Sequence, residues 1–507
     1  MVCKKAACVV PSLVLLALQL ARAQSASPSA YQVVMYSYTY TQPSGAVPTI
    51  YSYKTGMPTP ISKTMAGGPL SVTNISNFGE PFPSSYLAST LSMSIATQLS
   101  VIPIASPASG VITRTDPDTG GELLVSSTLG PIFTERAETI GKHKFYVGFS
   151  NQDFHFTSLN GQSLRELKLM LDAGGRSTGL TSGETTLVTY PATVGAGVDV
   201  RLGQNIAFLT YGVSDRVDVS VGLPIVHASI SAETADALIY VGDGLGHSKN
   251  PNINCWCLDT FTPGKINLQL PGVINSAATS NTGFGDMLLR AKGTVIRRNN
   301  LALALGADLR LPTGDSHQYL GTGATAIKPF LALSYRTPLS HGIVFSPHFN
   351  VGWQYSGQSV LGGQLQANTI TPGPPAEYGA PFSPLPAKGY LPDVFSWAIG
   401  TEVALGRRNT VVADILGNQI GWVNGISNMK THVSQGFGPS CVSSCTLETV
   451  SGLVGTGPVS FGQYSGAFGY KARIVSNLVG TFNMLVRFDN NGLVARAVPL
   501  FGLSYTF

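Results

Sequence analysis

The stretch Gly283–Gly314, GFGDMLLRAKGTVIRRNNLALALGADLRLPTG, decides the fold class of this chain. Its second half alternates strictly, because from Leu301 to Leu311 every odd position is Leu or Ala, whereas the even positions carry Ala, Gly, Asp and Arg. A side-chain period of two is typical of a β-strand whose two faces meet different surroundings. The first half alternates more loosely, and the polar, basic connection 297–300 is typical of a hairpin turn. The stretch is therefore predicted to form a β-hairpin with one apolar face.

The composition points to a membrane protein built from strands. Only 11% of the 507 residues are Asp, Glu, Lys or Arg, whereas about 25% is ordinary for a soluble domain. The mean hydropathy is nevertheless just +0.18, and beyond the N-terminus no apolar run reaches the ~20 residues of a membrane-spanning helix. Few charges, 57 glycines and alternating apolar residues are typical of a transmembrane β-barrel, in which the two faces average out.

The first residues have the three parts of a secretory signal peptide. Lys4 and Lys5 form the basic start, 6–20 are mostly apolar, and Ala21-Arg22-Ala23 is an A-x-A cleavage site. We therefore predict a signal peptide over residues 1–23. Cleavage removes three positive charges from the net +5 and leaves +2, so no nucleic-acid partner is expected.

Four cysteines follow the predicted cleavage site. In an exported protein, cysteines are more often disulfides than zinc ligands, and no His stands beside them. We predict disulfides with the pairing left open, and no metal or cofactor. The candidates are Cys255, Cys257, Cys441 and Cys445.

The mature chain divides into two regions. Residues 24–142 begin Tyr-rich and continue rich in Ser, Thr, Pro and Gly, which predicts a mostly irregular N-terminal periplasmic extension or plug; a disordered linker is the alternative. Residues 143–507 are predicted to form an all-β, antiparallel transmembrane barrel. Its twelve expected strands are 143–156, 193–213, 217–229, 283–297, 300–312, 326–337, 342–355, 393–406, 409–420, 467–478, 480–488 and 493–507.

The strand count depends on the segment 193–213. Splitting it at Gln204 would give thirteen strands or more, but one strand with a bulge is preferred because bacterial single-chain barrels have even counts. Short and long connections alternate along the barrel region, as expected when one rim faces the periplasm and the other the outside. In the first long connection, Ser163 and Glu166 fit a capping box, which predicts a short helix there.

The two strand faces are assigned from their aromatic residues. Trp353, Tyr355, Phe395 and Trp397 fall toward the outer rim on the apolar faces, as in an interfacial girdle. The last strand ends on Phe507, which resembles the signal that barrel-assembly machinery reads in the C-terminal strand of bacterial outer-membrane proteins. A closed barrel leaves no backbone group unpaired in hydrocarbon. We therefore expect lipid on the apolar face, a polar lumen, and a location in the outer membrane of a Gram-negative bacterium.

Several segments of the barrel region resemble one family. They are similar to the bacterial outer-membrane family associated with the MetA pathway of phenol degradation, over about 143–507, whereas 24–142 departs from its pattern. The resemblance implies a barrel that lets aromatic or other small apolar compounds cross the outer membrane. The segments are YGVSDRVDVSVGLPI (211–225), TGFGDMLLRAKG (282–293), LGADLRLPTG (305–314) and the terminal GLSYTF.

Ten polar residues on the predicted lumen face are the candidate site. They can form a constriction that selects solutes, or they can pair with each other across a narrow lumen; the two readings are compatible. The expected function is passive passage of small apolar or aromatic compounds, without catalysis. The candidates are Asp218, Asp286, Arg290, Asp308, Arg310, His348, Asn350, Glu402, Asp414 and Arg496.

Two other functions are weighed against the channel. One is a structural or surface barrel with a filled lumen. The other is an outer-membrane lipid hydrolase that uses His227 and Ser229, which share one strand face. The hydrolase is disfavoured because no orienting third group is evident and the H-x-S spacing is common by chance.

Overall fold

The computed structural model describes part of the chain, in some strands by the backbone alone. The described residues are 33–39, 49–55, 70–71, 83–103, 106, 113–115, 122–124, 128–178, 185–240, 247–250, 255–258, 267–298, 300–339, 343–362, 388–406, 408–437, 446–475 and 477–507. The predicted signal peptide 1–23 and the candidates Cys441 and Cys445 lie outside them. Cys255 and Cys257 lie in a strand that is described by its backbone only, so the disulfides stay a prediction.

Twelve antiparallel strands form the closed barrel that the sequence predicted. Each strand pairs with the next, and the last pairs with the first through a ladder from Leu500↔Gln152 to Thr506↔Tyr146. The strands are β1 (Phe145–Phe156), β2 (Thr185–Ser214), β3 (Val217–Tyr240), β4 (Met287–Arg298), β5 (Leu301–Leu311), β6 (Ala326–Tyr335), β7 (Ile343–Ser356), β8 (Val394–Leu405), β9 (Asn409–Phe437), β10 (Thr446–Val475), β11 (Leu478–Arg487) and β12 (Ala497–Thr506).

The β4–β5 hairpin has the faces that its alternation predicted. Leu301 and Leu305 on β5 are 39% and 52% exposed, whereas Ala302 and Ala304 are 3% and 0% exposed. Most large exposed apolar side chains of the other strands also point outward, and the buried polar ones point into the barrel. A closed wall that is apolar outside and polar inside is the β-structure that hydrocarbon tolerates. The chain forms a closed barrel of this kind.

The predicted aromatic girdle lies at the end of the barrel that carries the longer connections, the outer rim. Trp353 packs against Tyr355 and Phe395, with ring centroids 6.3 and 5.9 Å apart. Trp397 lies over Gly417, its register partner on the next strand, where a Cβ would come within 2.3 Å of the indole. The opposite end carries the short turns and is the inner rim. Phe507 lies at this end and donates its backbone N–H to the carbonyl of Phe145.

Several strands continue past the boundaries that alternation predicted. β2, β3, β9 and β10 run well beyond the apolar belt into the predicted outer loops. There both faces meet polar surroundings, so the period-two signal fades while the backbone pairing continues. β2 is one strand, as predicted, but its register shifts lie at Thr193/Gly195 and Gly212/Ser214, so the bulge predicted at Gln204 was wrong.

The helix predicted after Ser163 was also wrong. Leu167–Thr178 is a strand that pairs with the outer part of β2, because an open sheet edge beside it offers every backbone group a partner, which outweighs the local capping signal.

Among the described residues, the remaining elements are one α-helix, two 3-10 turns and further strands. The helix α1 (Pro83–Val101) precedes the barrel. No helix of the described part of the chain is both long and apolar enough to cross a membrane. Short 3-10 turns are Ser316–Gln318 and Val360–Gly362. The further strands are Val33–Thr39, Thr49–Thr55, Leu70–Ser71, Thr113–Thr115, Glu122–Leu124, Ser158–Leu159, Gln162–Ser163, His247–Asn250, Cys255–Leu258, Asn267–Phe284, Thr337–Pro338, Gln358–Ser359, Gly389–Tyr390 and Leu493–Val494.

Candidate functional site

The barrel lumen is occupied by residues that precede the first barrel strand. We call residues 91–103, 106 and 128–142 the lumen segment. Its backbone is hydrogen-bonded to inward-facing side chains on opposite parts of the wall. Leu129 N–H donates to Thr410 Oγ1 at 3.1 Å, Ala137 N–H to Ser334 Oγ at 2.8 Å, and Ile140 N–H to Asp218 Oδ2 at 3.0 Å.

The outer half of the lumen contains the helix α1 and a cluster of apolar side chains. Leu91, Ile95 and Leu99 of α1 pack with buried side chains of β1, β2 and β3, such as Phe154 and Val200. Every residue from Leu91 to Ser100 is buried, and the burial of the apolar side chains among them is the main source of the helix's stability in a tertiary structure.

A cation from the barrel wall binds the C-terminal end of the helix. Arg310 of β5 donates to the carbonyls of Leu99 and Ser100, at 2.6 and 3.1 Å. The last carbonyls of a helix lack partners within it, and the helix dipole favours a positive charge there. Arg310, a candidate for the constriction, thus caps the helix.

Glu135 is the acidic centre of the inner half. Its carboxylate accepts hydrogen bonds from Arg290 and Lys292 of β4, both at 2.7 Å, and from Ser106 at 2.8 Å. Burial alone would raise the pKa of Glu135, but the charges of Lys292 and Arg290 and the hydrogen bonds hold it below its ordinary value. The side chain of Asn350 bonds the backbone of Glu135 twice. It accepts from the Glu135 N–H at 2.6 Å and donates to the Glu135 carbonyl at 2.9 Å.

Arg136 forms the second ionic contact between the lumen segment and the wall. Its guanidinium lies 3.2 Å from Glu402 of β8, and their side chains are 2% and 0% exposed. Glu402 also accepts from the Gly130 N–H at 2.8 Å and bonds His348 at 2.7 Å, and His348 in turn bonds Ser334 at 2.8 Å. Residues from three neighbouring strands thereby hold one arginine of the N-terminal region.

Two further candidates receive backbone N–H groups. Asp414 of β9 accepts from Phe133 N–H at 3.1 Å and from the Thr134 hydroxyl at 2.9 Å. Asp218 accepts from Ile140 at the inner rim. Both wall carboxylates therefore face the lumen segment at short range, which sequence reasoning did not foresee.

Asp286 joins two of the four segments that carry the family resemblance. It accepts from Gly314 N–H at 3.1 Å and from Thr322 N–H and hydroxyl at 2.7 and 2.6 Å. Thr313 Oγ1 donates to the carbonyl of Gly285 at 2.6 Å and accepts from Met287 N–H at 2.9 Å. The Gly-Phe-Gly-Asp and Leu-Pro-Thr-Gly pieces thus fold onto each other and hold the connection 312–325.

The remaining candidate residues make contacts among themselves or with residues of the wall and turns. Arg290 and Asp308 pair with each other, with two contacts of 2.6 and 2.8 Å. Arg496 is exposed and bonds Asn490 and the carbonyl of Asp489 in the outer turn. His227 is exposed and bonds Thr282 Oγ1 at 2.7 Å.

Sequence reasoning missed the residues that join the lumen segment to the charged side chains of the wall. Lys471 of β10 is wholly buried and donates to the Pro131 carbonyl at 2.6 Å. Glu135 and Arg136 carry the ion pairs described above. The run Glu135-Arg136-Ala137-Glu138, next to the first strand of a chain with few charges, is the signal that could have found them.

A cavity of about 160 Å³ remains between the lumen segment and the wall. Ile102 and Phe133 line it on the side of the lumen segment. On the wall side it is lined by residues of β4 to β9, among them Leu288, Lys328 and Phe330. The arrangement can therefore hold a small molecule inside the barrel.

Comparisons with known proteins agree with the resemblance over part of the chain. Residues 190–369 match the family described as the MetA-pathway of phenol degradation, and this range contains the first three resembling segments but not the terminal one. No curated protein matches the chain.

Solved structures of outer-membrane proteins align with the chain at low similarity. An outer-membrane channel from Pseudomonas putida F1 is 9% identical with a TM-score of 0.37, covering 73% of this chain and 98% of that one. The Ralstonia pickettii toluene transporter TbuX is 10% identical with a TM-score of 0.28, covering 72% and 90%. A Pseudomonas aeruginosa FadL homologue is 10% identical with a TM-score of 0.25, covering 79% and 96%.

Proposed function

We propose that this barrel is a passive outer-membrane channel for small apolar or aromatic compounds, and that the lumen segment is its plug. Solute enters at the outer rim, rests in the lumen cavity and leaves at the inner rim when the plug shifts. The protein forms no covalent bond with the solute. The membrane lipid around the wall and the assembly machinery that reads the C-terminal strand are its other expected partners.

The observation that carries the proposal is the cavity between the plug and the wall. A solid protein core has few voids larger than a water molecule, whereas this void of about 160 Å³ lies inside a closed barrel. An enclosed apolar cavity of about 150 Å³ is large enough for benzene. The family match over residues 190–369, with its description, supports the same class of solute.

The plug is held by contacts that can be exchanged for water. Its inner half uses hydrogen bonds and ion pairs to Asp218, Arg290, Glu402 and Asp414. Each hydrogen bond of this kind has a modest net free energy, whereas the buried Arg136–Glu402 ion pair is the costlier contact to break. A shift of residues 128–142 toward the inner rim is therefore the proposed opening movement.

A structural barrel with a filled lumen is the second candidate. The specific observation in its favour is the Arg136–Glu402 ion pair, since both side chains are almost wholly buried. Removing one partner of such a pair is costly. If the plug never leaves, the barrel has no transport role.

The lipid hydrolase finds no support in side-chain contacts. A serine nucleophile needs a base within hydrogen-bonding reach and a group that orients the base. The ring of His227 instead bonds Thr282 at 2.7 Å. Ser229→Ala is expected to leave the turnover of lipid acyl chains at the background of a preparation without the protein.

The test must use a membrane that aromatic solutes cross slowly. Simple phospholipid bilayers let neutral aromatics through unaided, so uptake is measured in intact cells whose lipopolysaccharide leaflet provides the barrier. Cells carrying the barrel are expected to take up labelled phenol faster than matched cells without it. Equal rates would contradict the channel and favour the structural barrel.

A further inference from the structure

Among the described residues that line the lumen cavity, Lys328 is a cation without a hydrogen-bonded partner. Lys328 of β6 lies directly across the ladder from Asp308 of β5, yet both oxygens of Asp308 are taken by Arg290, at 2.6 and 2.8 Å. Among the described residues, the Lys328 ammonium makes no hydrogen bond and no ion pair. The Lys328 ammonium is half-buried, and the carboxylate that faces it is already hydrogen-bonded by Arg290, so the ammonium has lost part of its hydration without a carboxylate of its own.

The other cations of the cavity are already engaged. Arg290 is shared between Asp308 and Glu135, and Arg310 caps the helix at the carbonyls of Leu99 and Ser100. The excess positive charge of the cavity is therefore concentrated on Lys328.

The rest of the lining suits a flat apolar body. Phe330 follows Lys328 on the inward face of the same strand, two residues on, and is 8% exposed. Leu288 and Leu416 lie on the wall, and Ile102 and Phe133 close the cavity from the plug. The volume of about 160 Å³ matches one benzene-sized ring.

We propose that the lumen cavity binds a small aromatic monocarboxylate, with its carboxylate on Lys328 and its ring among Leu288, Phe330, Ile102 and Phe133. This inference rests on the proposed channel function. It specifies aromatic acids as one class of solute. The ligand both neutralises Lys328 and fills the void, so it gains a charge-assisted hydrogen bond and apolar contact together.

Binding to the purified, detergent-solubilised full chain tests the site. Isothermal titration with benzoate, benzyl alcohol and acetate separates the charge from the ring. Benzoate is expected to bind at least about tenfold more tightly than either, the factor expected for one charge-assisted hydrogen bond or one buried ring. Equal affinity for benzoate and benzyl alcohol, or for benzoate and acetate, would overturn the proposal.

Variants assign the effect to one side chain. Lys328→Met keeps the length and apolar stem, and is expected to weaken benzoate binding about tenfold while benzyl alcohol is unchanged. Lys328→Arg is expected to restore most of the benzoate affinity. Lys430→Met, which removes an exposed lysine of β9 outside the cavity and outside the plug, is the matched control and should bind benzoate like the wild type. A Lys328→Met protein that folds and binds benzoate normally would overturn the assignment.

Uptake by cells separates this inference from the function on which it rests. If neutral phenol enters through the barrel but benzoate does not bind at Lys328, the aromatic-acid site is wrong and the channel stands. If benzoate binds and depends on Lys328 while no solute enters cells faster than in the absence of the barrel, the site stands and the channel is wrong.

Discussion

Arg136 of the lumen segment and Glu402 of β8 form an ion pair with 3.2 Å between Nη2 and Oε2, and both side chains are almost wholly buried. The contact ties the region before the first strand to the barrel wall. It joins residues 266 positions apart in the chain, so neither partner has a local reason to be charged. The pair exists because the lumen is filled from within the same chain.

Arg136→Met tests the energetic role of this pair. The change leaves the Glu402 carboxylate buried beside His348 without its guanidinium, and we expect the free energy of unfolding to fall by about 3–5 kcal/mol. Denaturant unfolding of the refolded protein in lipid measures it. Arg201→Met, which breaks the partly exposed Arg201–Asp199 contact, is the control and should cost less than about 1 kcal/mol. Equal losses in the two variants would contradict a sealed Arg136 site.

Glu135 makes stability depend on acid. Its pKa is lowered in the folded state, so the ionised carboxylate stabilises the fold at neutral pH, and this contribution is lost as the pH falls from the ordinary value of 4.5 through the lower folded pKa. The free energy of unfolding should therefore drop on acidification in this window. Glu135→Gln should be less stable at neutral pH and should change less with acid. An identical acid dependence in the variant would refute this role.

Asp286→Ala tests the anchor of the connection 312–325. The change leaves the N–H groups of Gly314 and Thr322 without their acceptor, and an unsatisfied buried donor costs about 1–3 kcal/mol. Hydrogen exchange of 312–325 should accelerate. Asp286→Asn keeps one acceptor oxygen and should accelerate it less. Unchanged exchange in Asp286→Ala would show that the connection is held elsewhere.

Leu305→Lys tests whether the outer face meets hydrocarbon. Leu305 lies near the middle of β5 and is 52% exposed. A lysine on the lipid face near the bilayer midplane costs about 2–4 kcal/mol of folding free energy. Leu305→Met is the control of similar size and should cost less than about 1.5 kcal/mol. A lysine variant as stable as the methionine variant would mean that this face is wet.

The barrel wall could be predicted from sequence because successive side chains of each strand face lipid and lumen in turn, so apolar and polar residues alternate. The alternation from Leu301 to Leu311 correctly gave the faces of β5, and the short turns gave the order of the strands. The outer parts of β9 and β10 could not be found this way, since beyond the bilayer neither face is required to be apolar.

The contents of the lumen could not be predicted in the same way. A plug has no required alternation of apolar and polar residues. Its backbone N–H groups donate to wall side chains such as Asp218 and Asp414, instead of to the backbone of a neighbouring strand. The candidate charges were found on the wall, but pairing among themselves explains only Arg290 with Asp308 and His348 with Glu402. Their other partners, Glu135 and Arg136, lie in a region that composition describes as irregular.

The most direct test of the gating role of the plug is to tether the plug to the wall and measure phenol uptake. The Ala137 N–H lies 2.8 Å from Ser334 Oγ, so Ala137→Cys with Ser334→Cys places two thiols across the contact between plug and β6, where the oxidising periplasm can join them. Each single cysteine variant is the control. We expect phenol uptake in the double variant to fall to the rate of cells without the barrel, and to recover when a thiol reductant opens the tether. Uptake by the tethered protein as fast as that of the single variants would contradict the gating role of the lumen segment.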